Sequence, residues 1–178
     1  RSFLEECQRE IPNEVVHVTK EVDPAHYDVT AIIKHLGAEK KFPILIFDRP
    51  LNLHGRAGEF KLVMNCEISQ RKTQIALGVP KEMNRTQMAE VCLEREEHRV
   101  PPAIVAKKDA AVKEVVKVGR DVDIFELPIM RHHYMDGGPY IVHSTITRDR
   151  KSGIYNCSYH RMEVKTKNRT ALYASPRH

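Results

Sequence analysis

Side chains able to do chemistry concentrate between Arg131 and His178. Asn156 offers a neutral carbonyl oxygen, Ser158 a hydroxyl, Arg161 a five-donor guanidinium and His178 an imidazole nitrogen. Mixed oxygen and nitrogen donors suit a divalent ion of the magnesium or manganese class, whose shell is often completed by phosphate oxygens and a carboxylate. The planar fork of Arg161 can hold a carboxylate through two parallel hydrogen bonds. Each residue also has a plain reading. Asn156 reads as a strand-edge polar residue, Ser158 as a half-buried strand serine, Arg161 as a solvated strand arginine and His178 as an ordinary terminal residue. His132, His133 and His143 are tempting as ligands or bases. An adjacent pair, however, points to two faces of an extended segment, so all three are read as surface or core histidines. Cys157 has no base marked beside it and reads as a small buried residue.

A small sheet must carry these groups. Alternation puts Val142, Ser144 and Ile146 on one face of a strand and His143, Thr145 and Thr147 on the other. Arg148-Asp149-Arg150-Lys151-Ser152-Gly153 reads as the loop of a hairpin. Asn156, Ser158, His160 and Met162 then share one face of the returning strand, where His160 is a candidate supporting group. Ala171–Ala174 is predicted as a third strand delivering Ser175-Pro176-Arg177-His178. Asn156 and Arg161 are an odd number of residues apart, so strict alternation sends them to opposite faces. A β-bulge between them, or a cofactor wrapping the strand end, would bring both to one ligand.

The runs HHYMDGGPYIVHSTITRD, NCSYHRM and SPRH, taken together, resemble the UbiD-type decarboxylases that use prenylated flavin mononucleotide. Weaker likeness extends over the whole chain, including EVDP at Glu21–Pro24 and LPI at Leu127–Ile129. The resemblance implies that Asn156 and His178 ligate a divalent metal, Mn or Mg, with a monovalent cation such as potassium as a further partner. It implies that Arg161 sits beside the flavin ring as the catalytic arginine. The cofactor-binding set becomes Asn156, Ser158, Tyr159, Arg161, Arg177 and His178. The third metal ligand, a glutamate, and the carboxylates of the family's catalytic network lie beyond the position of His178. The remainder of a longer polypeptide, or a second subunit, is therefore expected to supply them, and this stretch alone is expected to be inactive.

The other elements follow from caps and periodicity. Ser2 to Glu10 is predicted as a helix with Phe3, Leu4 and Cys7 inward, and Glu14 to Thr19 as a strand. Asp28 to Leu36 is predicted as a helix stopped by Gly37, and Pro43 to Phe47 as a short apolar strand. Leu51 to Glu59 reads as a loop and Phe60 to Cys66 as a strand. Ser69 to Leu77 reads as a helix closed by Gly78, and Asn84 caps a longer helix to Glu97. The lysine- and valine-rich tract from Lys107 ends in a predicted strand at Val115–Val118. A turn and a short helix or extended run lead to Leu127-Pro128. Periodicity by itself gives an α+β class. The order of elements gives an N-terminal α/β module, residues 1–105, followed by a mainly antiparallel region, and the resemblance implies that this region, residues 106–178, is the first strands of a split-β-barrel flavin domain.

Composition bounds the alternatives. With 41% hydrophobic and 30% charged residues the chain reads as globular rather than disordered. The segment Arg1–Glu6 has no apolar signal core, and no apolar run approaches the roughly 20 residues of a membrane helix. The four cysteines form no CxxC pair, which favours reduced thiols and a cytoplasmic setting. The net charge of +5 suits carboxylate and phosphate ligands. Basic residues alternate with acidic ones, against nucleic-acid binding. The function expected is reversible, non-oxidative decarboxylation of an aromatic or α,β-unsaturated carboxylic acid by a homo-oligomer. The alternative is a non-catalytic flavin- or phosphate-binding subunit of a larger complex.

Overall fold

The computed structural model describes residues 2–67, 69–98 and 100–173. Arg177, His178 and the predicted strand end at Ala174 lie outside the described residues. Helix and sheet are mixed, in two open three-stranded sheets. The first has strand order β1-β2-β3, with β1 at Val15–Val18, β2 at Ile44–Phe47 and β3 at Leu62–Met64. The second has order β4-β5-β6, with β4 at Tyr140–Arg148, β5 at Tyr155–Thr166 and β6 at Arg169–Leu172. Four helices accompany them among the described residues: α1 (Ser2–Glu10), α2 (Asp28–Ala38), α3 (Gln70–Leu77) and α4 (Arg85–Glu97).

The chain forms two compact units, residues 1–16, 42–46 and 63–119 in one, residues 17–41, 47–62 and 120–178 in the other. In the first unit, Cys7, Ile44 and Ile46 form a buried cluster wrapped by Phe3, Leu4, Ile11, Val15, Val63 and Ile75. Every residue of the central strand β2 is buried, which explains its unbroken apolar run. Full burial of one such Ile or Leu stabilises by about 1.5–3 kcal/mol. Ser69 caps α3 by accepting from Lys72 N, and Gly78 closes it at φ 64°. Asn84 and Gln87 form a reciprocal capping box at the start of α4. Buried Gln74 ties the connection between these helices, its Nε2 donating to the carbonyls of Lys81 and Met83 at 2.9 and 2.6 Å.

Three expectations need correction. Gly37 does not stop α2, which runs to Ala38 and reverses at Lys40, φ 56°. Lys41 N donates to Leu36 O at 2.9 Å and Lys40 N to Gly37 O at 3.0 Å, the two bonds of a Schellman motif with lysine in the left-handed position. Val115–Val118 is not a strand. The tract forms two 3-10 turns, Lys107–Asp109 and Ala111–Lys113, then irregular backbone. Its valines are 60–83% exposed at 112, 115, 116 and 118, so the pleated, half-buried surface that rewards β-branching is missing. The last strand begins at Arg169, ahead of the predicted Ala171, and spans Arg169–Leu172 among the described residues, set by pairing with Met162–Thr166 across a register shift between Val164 and Thr166.

Candidate functional site

The second unit carries the candidate site on the β4–β5 hairpin. Its loop is locked by Asp149, whose Oδ2 accepts from Ser152 N and Ser152 Oγ, both at 2.6 Å. These bonds hold the Asp149 carboxyl below the usual aspartate value. Gly153 takes φ 74°, and Arg148 Nε donates to its carbonyl at 3.0 Å. At the other end, Asp136 Oδ2 accepts from His133 N at 2.8 Å and His132 N at 3.2 Å, which lowers its pKa and builds the turn before Gly137. A Cβ on Gly137 would lie 2.8 Å from Glu163 Oε1 on β5, so a larger residue there requires the Glu163 carboxylate to shift. Asp136, His132 and His133 thus belong to a turn, and Glu163 is engaged by Lys165 at 2.7 Å.

Pairing of β4 with β5 is unbroken from Tyr140↔Glu163 to Arg148↔Tyr155. No bulge separates Asn156 from Arg161, so the two occupy opposite faces. One face is polar, aligning Thr147 with Asn156, Thr145 with Ser158 and His143 with His160. On it, Asn156 Nδ2 donates to Ser158 Oγ at 3.4 Å, and Ser158 Oγ lies 2.8 Å from His160 Nε2. The opposite face carries Val142, Ile146, Tyr155, Cys157, Tyr159 and Arg161. Tyr159 is 80% exposed. Cys157 is also exposed, not buried.

The hairpin therefore brings Asn156, Ser158 and His160 together and leaves Tyr159 and Arg161 behind them. Thr145, not singled out from sequence, has a buried Oγ1 with no hydrogen-bond partner among the described residues. Only its register opposite Ser158 reveals it, and register is invisible before pairing. Asn156 is exposed, so its Oδ1 is open to solvent. A hydroxyl without a hydrogen-bond partner and an exposed amide on one strand face can serve a polar ligand or cation. Among the described residues no three His, Cys, Asp or Glu side chains are grouped to hold a metal. An ion at Asn156 would draw other ligands from elsewhere. In the first unit, a cleft of about 340 Å³ between α3 and α4, lined by Ser69, Thr73, Arg85, Met88 and Cys92 among others, contains none of the predicted site residues.

Two family models match consecutive parts of the chain. Residues 7–92 match the N-terminal domain of 3-octaprenyl-4-hydroxybenzoate carboxy-lyase, and residues 103–178 match its Rift-related domain. The chain belongs to this UbiD family. It is 32% identical over 130 residues to anhydromevalonate phosphate decarboxylase of Methanosarcina mazei, covering 72% of this chain and 28% of that protein. It is 27% identical over 185 residues to phenolic acid decarboxylase of Sedimentibacter hydroxybenzoicus, covering all of this chain and 37% of that one. Its fold matches an evolved dimeric form of the UbiD-class enzyme HmfF from Pelotomaculum thermopropionicum in complex with prFMN. That match has TM-score 0.82 and 29% identity, covering 99% of this chain and 38% of that one. The chain thus spans roughly a third of the length of these relatives. No helix among the described residues is long and apolar enough to cross a membrane.

Proposed function

We propose that this chain is part of a decarboxylase that removes carbon dioxide reversibly from an sp2 carbon of a small carboxylic acid, using prenylated flavin mononucleotide. The observation that carries the reading is the polar strand face of Asn156, Ser158 and Thr145, with its exposed amide and unpartnered hydroxyl, within a region matched by the family's Rift-related model. Relatives named for anhydromevalonate phosphate and for phenolic acids support both an α,β-unsaturated and an aromatic substrate. When bound, the flavin supplies the electron sink that breaking a carbon–carboxylate bond requires.

The residues divide the work by face. Asn156 Oδ1 would hold a Mn²⁺ or Mg²⁺ ion together with His178. Ser158 and Arg177 would bind the cofactor's polar groups. Arg161, with Tyr159, would meet the ring and the substrate carboxylate from the opposite face, so the ligand must pass round the hairpin rather than lie flat on it. Two neutral protein ligands are too few to strip water from such ions, so tight metal binding should need the flavin phosphate. Protonation of the product carbon needs an acid from the rest of the polypeptide or from a second subunit. A boundary near residue 105 is supported by the change from one family match, ending at residue 92, to the other, beginning at residue 103.

The test is carbon dioxide release by the complete protein reconstituted with prenylated FMN and Mn²⁺, on a panel of unsaturated and aromatic acids. Arg161→Lys keeps the charge but loses the fork. It should lower kcat by about 10²-fold through misplacement of the substrate carboxylate, while flavin absorbance stays. Flavin binding without carbon dioxide release from any acid would replace the proposal with a non-catalytic binding subunit.

A further inference from the structure

We propose that residues 107–118 of one copy of this chain dock on an acidic face of α4 in a second copy. On α4, Glu90, Leu93, Glu94 and Glu97 follow the i, i+3, i+4, i+7 spacing that makes one helix face. All four are exposed, and Leu93 keeps 64% of its surface in solvent. Met88, the buried residue of the helix, lies on the opposite face. So does Arg95, whose Nη1 donates to Leu77 O at 2.8 Å. The packing of α4 in its own unit therefore leaves three carboxylates around a leucine facing water.

Residues 107–118 carry the complementary pattern. Val112, Val115, Val116 and Val118 are 60–83% exposed, and Lys107, Lys108 and Lys113 are exposed among them. Four lysines against Asp109 and Glu114 leave the tract positive. None of Glu90, Glu94, Glu97, Lys107, Lys108 and Lys113 has an ion-pair partner among the described residues. Exposed aliphatic side chains rimmed by charge mark an association surface, and opposite charge across the contact selects the partner. A second copy supplies the matching acidic face. Docking on the chain's own α4 is disfavoured by Val100 and Pro101, each of which precedes a proline and is held out of the helical region. No hydrogen bond joins the tract to its own α4 among the described residues. Two copies related by a twofold axis make the contact twice and close.

The complete protein is cross-linked with a zero-length carbodiimide, which joins a carboxylate to a lysine only in direct contact. Links are read by mass spectrometry from the monomer and dimer bands of a denaturing gel. A link between Glu90, Glu94 or Glu97 and Lys107, Lys108 or Lys113 should appear in the dimer band and be missing from the monomer band. No such link, or one confined to the monomer band, overturns the proposal, the second by showing that the tract docks on its own helix. Association is then followed by sedimentation velocity. Glu90→Lys with Glu94→Lys and Glu97→Lys should raise the dissociation constant at least about tenfold, because like charges then meet. Lys107→Glu with Lys108→Glu and Lys113→Glu should do the same. A mixture of the two variants pairs opposite charges at both contacts and should associate as wild type does. Wild-type association in either variant alone, or a mixture that stays as weak as its parts, overturns the proposal. Should the α4 variant fail to fold, the tract variant, which alters no α-helix or strand, decides by itself.

Discussion

Lys72 is a fully buried ammonium in the first unit. Its Nζ donates to the carbonyls of Phe42 and Asn65, with Glu14 Oε2 at 3.8 Å. Asn65 reaches its place through a left-handed backbone, φ 63°. Burial pulls the Lys72 amine below its ordinary 10.5, against the pull of Glu14. Burial also pushes the Cys7 and Cys66 thiols above their ordinary 9.0. The signs oppose. Between the lowered amine value and 10.5 the unfolded chain binds more protons at this site, so the Lys72 contribution to stability rises with pH. From 9.0 upward the folded chain keeps the thiol protons, so the cysteine contributions fall. Comparison with Lys72→Met isolates the lysine. Urea midpoints from pH 7 to 10.5 should shift progressively in favour of wild type relative to the variant. A constant difference would show that the amine keeps its ordinary affinity for protons.

At the scale of elements, the helix ends make separable predictions. Lys40 occupies a left-handed position that costs an L-residue about 1–2 kcal/mol. Lys40 is exposed, so Lys40→Gly removes that cost without opening a cavity and should stabilise by about 1 kcal/mol. The α4 capping box has Gln87 N on Asn84 Oδ1 at 3.0 Å and Asn84 N on Gln87 Oε1 at 2.9 Å. Asn84→Ala should destabilise by about 1 kcal/mol. Denaturant melts of the two variants against wild type read both signs, and a destabilised Lys40→Gly would contradict the Schellman assignment. The Gly78 end of α3 and the Asn84 start of α4 were legible because caps act within four residues. The end of α2 was not, because the chain passed its glycine and reversed at a lysine.

At the scale of the whole molecule, one face of the second sheet is left largely open by the described residues. Val142, Ile146, Tyr155 and Tyr159 are 54–80% exposed on it. Apolar patches of this kind mark association surfaces. The 178-residue stretch made alone should therefore self-associate in sedimentation velocity. Val142→Thr with Ile146→Thr keeps strand propensity while removing apolar area, and should shift the population toward monomer. A monodisperse wild-type stretch at high micromolar concentration would show that the face is tolerated in water.

The sequence by itself determined the α+β class, helices α1, α3 and α4, the β4–β5 hairpin and the family, because caps, period-two alternation and short motifs are local signals. It also determined that Asn156, Ser158 and His160 share a face and that Arg161 does not. Only the tertiary structure decided that no bulge rescues Arg161, because a bulge is a property of two paired strands and this pairing is continuous. It alone exposed Thr145 as an orphaned donor, put Cys157 in the open and denied Val115–Val118 a partner strand. Each of those depends on what lies across from a residue rather than beside it in the chain, and that is fixed only when distant segments meet.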